Sequence, residues 1–159
     1  MTLGYKVLNT LDYSRCPEAL NVFDDIGVVD TLPWDYKLVC SQIHQYDAYL
    51  ASTSVIVDAE MLSYAKRLQV IGSPATGTDH LDLLAIKNKG IICFDISKER
   101  ELIESFTATS ELAFCLLLSL NRKLIEAVES TRNGSWEREK FTGFQLSGKT
   151  FGCLGLGRL

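Results

Sequence analysis

Along the first hundred residues, apolar and polar positions form short blocks whose period alternates between that of a strand and that of a helix. Tyr5–Leu8 is a brief apolar run, and residues 16–25, with Pro17 near their start, carry Ala19, Leu20 and Phe23 at helical spacing. Gly27–Val29 predicts a second strand. Leu32 and Pro33 then open an amphipathic segment, with Trp34, Leu38, Val39 and Ile43 near one stripe, that ends around Tyr46. Asp47–Ala51 predicts a third strand with a polar end at Ser52-Thr53-Ser54, and Asp58 predicts the N-cap of a helix through Met61, Leu62 and Ala65. Leu68–Ile71 predicts a fourth strand, Leu81–Lys89 a helix capped by Asp79 and stopped by Gly90, and Ile91–Phe94 a fifth strand.

Short strands separated by single helices predict right-handed crossovers and a parallel sheet covered on both faces. The fold class this predicts is α/β, a flavodoxin-like doubly wound parallel sheet over residues 1–104. Beyond it the pattern changes. Residues 105–131 contain no Gly or Pro and predict one long helix, apolar on every side from Leu112 to Leu118 and continuing through Leu120, Leu124, Ile125 and Val128. A helix of that kind is expected to be wrapped by protein, which places it between two domains. Asn133-Gly134-Ser135 breaks it, residues 136–145 predict a polar connection, and residues 146–159 predict the start of a Rossmann domain, truncated after one strand, Phe151–Leu154, and its turn.

That turn, Gly155-Leu156-Gly157, matches the opening of a dinucleotide-binding fingerprint, whose third glycine, helix and acidic residue would follow Leu159. A Gly-rich turn after a buried strand has the same local pattern. The second candidate is Gly72–His80, because ligands of open parallel sheets gather at the carboxyl ends of the strands. Gly77 lets the chain turn so that the amides around Thr76 to Thr78 point one way and form an anion-binding concavity. The same residue types also serve an ordinary strand-to-helix loop. His80 titrates in the range of a general base, but the sequence gives it no orienting partner and a hydrogen-bonding cap is the plainer role. His44 reads as an exposed helix end.

Composition narrows the classes. The 159 residues are 47% hydrophobic and 23% charged, with a net charge of -4 and a pI near 5.2, which argues against a nucleic-acid or anionic-membrane surface. Five scattered cysteines without a C-x-x-C pair indicate neither a disulfide framework nor a metal site, and fit a reducing compartment. With no signal-peptide pattern at the start and no apolar run of bilayer length, the expected location is the cytoplasm.

Taken in order, Ala75-Thr-Gly-Thr-Asp-His-Leu-Asp82, Gly90-Ile91, Thr109-Ser-Glu-Leu-Ala113, Leu116–Arg122, Trp136, Leu146-Ser-Gly-Lys-Thr150 and Gly155-Leu-Gly-Arg-Leu159 resemble the D-isomer-specific 2-hydroxyacid dehydrogenases. Ser97–Ile103 is similar to the phosphoglycerate-dehydrogenase-like branch, where a charged turn precedes the long helix. The resemblance implies a two-domain enzyme that moves a hydride between NAD and a D-2-hydroxy acid or 2-keto acid. It also implies that Thr76, Gly77 and Thr78 hold the substrate carboxylate, that Gly155, Gly157, Arg158 and Leu159 lie on the pyrophosphate loop, and that Thr109 lies near the nicotinamide end.

The family's catalytic arginine, glutamate and histidine follow the Gly-rich loop, so this chain is expected to be the N-terminal part of such an enzyme, inactive alone and weak in NAD binding. Its apolar helix over residues 109–128 is then expected to be buried by self-association. Two other readings stand beside this one: a non-catalytic flavodoxin-like binding module, whose Asp24-Asp25 pair lies after the first helix rather than the first strand, and a truncated paralogue that has kept the fold without the chemistry.

Overall fold

A computed structural model describes residues 4–157, which divide between residues 103 and 104 into two compact units. The first holds five parallel strands, β1 (Tyr5–Asn9), β2 (Gly27–Thr31), β3 (Ala48–Leu50), β4 (Val70–Ser73) and β5 (Ile92–Asp95), in the order β2-β1-β3-β4-β5. This is the flavodoxin-like doubly wound order, with its switch point between β1 and β3. Leu8, Tyr49, Ile71 and Cys93 stand in one row across the sheet. They pack with Val39, Ile43, Met61, Leu62 and Ile86 from the helical layer, each fully buried aliphatic side chain contributing about 1.5–3 kcal/mol.

That layer consists of α1 (Tyr36–Gln42), α2 (Ala59–Tyr64) and α3 (Leu83–Asn88). Each starts at an aspartate whose carboxylate accepts the N–H three residues on: Asp35 from Leu38 at 3.0 Å, Asp58 from Met61 at 2.8 Å and Asp82 from Ala85 at 2.9 Å. Each such cap is worth about 1 kcal/mol. At the opposite end of the sheet Asp47 joins three strands. Its N–H donates to the Lys6 carbonyl, its carboxylate accepts the Lys6 N–H at 2.9 Å and its carbonyl accepts the Gln69 N–H.

Four local expectations are corrected. Residues 16–25 form a 3₁₀ helix, Pro17–Phe23, because no residue in it is buried and packing does not reward a longer α-helix. The third helix begins at Leu83 with Asp82 as its cap, not Asp79, because Leu81 is in a parallel bridge with Val57. The Val57 N–H donates to the His80 carbonyl and the Asp82 N–H to the Val57 carbonyl, both at 2.8 Å, which holds Leu81 in the bridge rather than in a first helical turn. Residues within the charged turn form a short helix, α4 (Arg100–Glu104). The long helix is two helices, α5 (Ala108–Asn121) and α6 (Leu124–Arg132), parted at Lys123, which sits at φ 49° in the left-handed region.

In the second unit no described residue of α5 or α6 is buried, so the expected protein wrapping is not supplied within these residues. Leu120 is 81% exposed, and Leu112, Phe114, Leu116 and Leu118 are at least half exposed. Residues Arg100–Asn121 are long and apolar enough to cross a bilayer by length and composition, and residues 105–107 within them are not helical. Phe151–Leu154 is not a strand, since among the described residues no neighbouring strand pairs with it. Its Phe151 ring instead stacks on Phe114, with centroids 5.7 Å apart.

Candidate functional site

All five strands point their carboxyl ends the same way, and those of β1, β3 and β4 end in a buried polar shelf of Asn9, Thr10, Ser52, Ser73 and His80. Burying such groups costs free energy unless each is bonded. Asn9 Nδ2 donates to the Leu11 carbonyl and to Thr31 Oγ1, and its Oδ1 accepts the Leu11 N–H at 2.9 Å. Thr10 Oγ1 lies 3.1 Å from the Tyr49 hydroxyl, donates to the Leu50 carbonyl and accepts the Ser52 N–H at 3.0 Å, across the switch point. Burial pushes the Tyr49 phenol up to about 12, so it remains a protonated donor. Among the described residues, no buried side-chain nitrogen or oxygen lacks a partner.

The expected substrate loop stands on this shelf. Thr76 and Gly77 are exposed and Thr78 half-buried. The Thr78 carbonyl accepts the Leu81 N–H at 2.9 Å. The N–H groups of Thr76, Gly77 and Thr78 have no acceptor among the described residues. Gly77 does not take a left-handed backbone, and a Cβ on it would meet the Asp79 carboxylate at an ordinary 3.5 Å. The loop is therefore shaped by its two anchors, the Val57 bridge and His80, rather than by glycine freedom.

His80 is 6% exposed, and its Nε2 lies 3.0 Å from Ser73 Oγ. It is neither a helix cap nor open to a substrate. Burial lowers its pKa, opposed by the Asp79 charge, so the ring is held neutral and the Ser73 bond ties the loop to the end of β4. His44 is exposed at the end of the helical layer, as expected.

Sequence reasoning missed a cleft of about 580 Å³ at the carboxyl ends of β1 and β2, lined by Leu11, Tyr13, Leu20, Leu32 and Trp34 among others. Its signal was the pairing of Asn9 and Thr31, which no local pattern reveals. A second hollow, about 770 Å³ between α1 and α2, lies among side chains with structural work: Tyr36 donates to Asp58 Oδ1 at 2.8 Å, and burial pushes the Cys40 thiol up.

The expected cofactor residues fall in the second unit. Thr109 is exposed in the first turn of α5. Gly155 sits at φ 98°, and a Cβ on Gly155 or Gly157 would meet nothing within 4 Å, so space is open around this turn. Arg158 and Leu159 lie outside the described residues. The stacking of Phe114 on Phe151 brings the start of the glycine segment against α5. Thr76, Gly77 and Thr78 belong to the other unit.

Residues 7–100 match the catalytic-domain model of the D-isomer specific 2-hydroxyacid dehydrogenases, and residues 114–159 match the NAD binding domain model of the same family. The chain belongs to the D-isomer specific 2-hydroxyacid dehydrogenase family. It is 34% identical over 154 residues to a D-3-phosphoglycerate dehydrogenase of Homo sapiens, covering 97% of this chain and 28% of that one. To the D-3-phosphoglycerate dehydrogenase of Archaeoglobus fulgidus it is 36% identical over 118 residues, 74% of this chain and 21% of the relative. Apo D-lactate dehydrogenase from Escherichia coli superposes with a TM-score of 0.77 at 20% identity, covering 96% of this chain and 48% of that structure; this likeness speaks for the fold. The chain spans about a quarter of the length of these curated relatives.

Proposed function

We propose that this chain supplies the acid-binding domain and the start of the NAD-binding domain of an oxidoreductase that moves a hydride between NAD and a D-2-hydroxy acid or 2-keto acid. The observation that carries the reading is the set of three main-chain N–H groups, of Thr76, Gly77 and Thr78, that have no acceptor among the described residues, at the carboxyl end of a parallel sheet. Such amides hold a carboxylate by charge-assisted hydrogen bonds and cost no reorganisation when it arrives.

Gly155, Gly157, Arg158 and Leu159 take the cofactor's pyrophosphate, and Thr109 lies toward the nicotinamide. The left-handed Gly155 and the open space around the turn support this, since a pyrophosphate needs a close approach to backbone. NAD, when bound, gives or takes the hydride. His80 is bonded to Ser73 and buried, and His44 lies in the helical layer, so the proton of the hydroxyl group falls to groups outside these 159 residues. The chain alone accordingly binds ligand without turning it over. The exposed apolar residues of α5 and α6 support self-association through residues 109–128, and five free cysteines support a reducing, cytoplasmic setting.

The test is an amide-resolved NMR titration with pyruvate, run beside an NADH oxidation assay. Shifts at Thr76–Thr78 without NADH oxidation are expected. Unmoved amides at saturating pyruvate overturn the carboxylate site, and NADH-dependent reduction by the chain overturns its inactivity. A clean monomer by light scattering at high concentration overturns the self-association.

A further inference from the structure

We infer that the acid's tail is apolar and uncharged and lies in the cleft at the ends of β1 and β2, making the chain selective for 2-keto acids with a long hydrocarbon tail. The inference rests on the proposal that the loop at the end of β4 holds the carboxylate.

In the order β2-β1-β3-β4, two strand spacings of about 4.8 Å separate β4 from β1, so the cleft begins about 10 Å from the loop. The shelf of Thr10, Ser52 and Ser73 runs between them, and each of its buried side-chain polar atoms is bonded within the protein, so these three side chains offer a polar ligand no unsatisfied group midway. Thr10 belongs to both places: its hydroxyl spans the switch point toward Ser52, while its carbonyl accepts the Trp34 indole N–H at 2.7 Å.

That bond fixes Trp34 at the cleft while the residue stays 59% exposed. Its one polar atom is satisfied, so what it offers a ligand is ring surface. Leu11, Leu20 and Leu32 also line the cleft, whose volume of about 580 Å³ suits a small molecule.

The charges oppose a phosphorylated tail. Residues 10–14, 51–57 and 74–80 contain no Lys or Arg and two carboxylates, Asp12 and Asp79. Asp12 lines the cleft, and its carboxyl is held below the usual range by the Ser14 N–H, with Arg15 a minor contributor. A phosphate in this cleft would meet a carboxylate, whereas a hydrocarbon chain would meet leucines and an indole ring. The D-3-phosphoglycerate dehydrogenases similar to this chain are thus poor guides to its substrate.

The experiment titrates the chain with pyruvate, 2-oxodecanoate and 3-phosphoglycerate, following the Thr76–Thr78 amides and the Trp34 indole N–H by NMR. Expected are shifts at both places with 2-oxodecanoate, affinity about tenfold above pyruvate, and no movement of Trp34 with 3-phosphoglycerate. Trp34→Ala reduces the advantage of 2-oxodecanoate over pyruvate to within about twofold, and Leu20→Asp does the same from the other wall. Equal affinities with a still Trp34, or tighter binding of 3-phosphoglycerate, overturn the tail site while leaving the carboxylate loop intact. Still Thr76–Thr78 amides with every ligand overturn the carboxylate reading, and the inference with it.

Discussion

The side-chain amide of Asn121 grips the main chain of Phe144 at both ends, its Nδ2 donating to the Phe144 carbonyl at 2.6 Å and its Oδ1 accepting the Phe144 N–H at 3.2 Å. Gly143 makes this approach possible, since a Cβ there would collide with the Asn121 carbonyl oxygen. The pair draws residues 138–146 across the gap between α5 and α6. Asn121→Ala loses two exposed hydrogen bonds and costs about 1 kcal/mol, whereas Gly143→Ala must move backbone and costs about 2 kcal/mol. Denaturant melts of both variants, with hydrogen exchange at Phe144, check the ranking; a Gly143→Ala protein as stable as its parent refutes it.

Lys123, in the left-handed region at φ 49°, carries a backbone cost of about 1 kcal/mol that asparagine largely avoids. Lys123→Asn is expected to raise stability by about 0.5 kcal/mol, and Lys123→Val to lower it by about 1 kcal/mol. Loss of the Lys123 Nζ bond to the Lys140 carbonyl, which is exposed and 3.3 Å long, is a smaller effect. Thermal melts showing Lys123→Asn below the parent would count against backbone strain at this joint.

Asp47 has two kinds of partner that differ in weight. Its side chain is 8% exposed, against 56% for Arg67, and the hydrogen bond from the Lys6 N–H is the largest single cause that lowers its pKa, with the Arg67 guanidinium adding to it. Arg67→Ala should therefore cost under about 1 kcal/mol, while Asp47→Ala, which leaves the Lys6 N–H unpaired, costs about 2 kcal/mol. Because the folded pKa lies below the unfolded value, the carboxylate's contribution is present above about pH 4 and lost as pH falls through the folded pKa. Acid titration of the parent and of Asp47→Asn should show that loss in the parent alone.

His80 gives a second pH dependence. Burial holds its folded pKa below the unfolded value near 6.5, so the unfolded chain takes up the proton first. Stability is then full above about pH 6.5 and falls as the pH drops through the folded pKa. In His80→Asn this loss disappears. Denaturation midpoints at several pH values between 7.5 and 5 decide it, and identical slopes in parent and variant would sink the prediction.

Asp79 places a negative charge beside the Thr76–Thr78 amides. Screened by water, a carboxylate several ångströms from a bound acid costs it about 0.7 kcal/mol, so Asp79→Asn should tighten pyruvate binding about threefold. The gain should shrink at high salt. An unchanged dissociation constant at low ionic strength would mean that the acid does not sit in this loop.

How much of this was readable in the sequence depends on how far each cause reaches along the chain. The five strands of the sheet and the Asp58 cap were legible because an apolar run and an N-cap act within a few residues, whereas the apolar run Phe151–Leu154 forms no strand because no described strand pairs with it. The start of the third helix was not, since Leu81 is held by Val57, 24 positions earlier. Nor was the break after Asn121, whose partner lies 23 residues downstream. At the site, residues 76–78 were marked by their Gly and Thr content, while the neighbouring cleft depends on Asn9 meeting Thr31 across two strands, a pairing that no local pattern encodes.

The strand order has a consequence for how the molecule is made. β2 adds to one edge of β1, and β3, β4 and β5 then add one by one to the other, each beside the last strand laid down. A ribosome releases the strands in that same sequence, so no gap in the sheet need be held open for a later strand. The slowest step is expected where β3 reaches back past β2 to find β1, because that pairing closes the longest loop, and it is the step that completes the switch point on which the polar shelf is built.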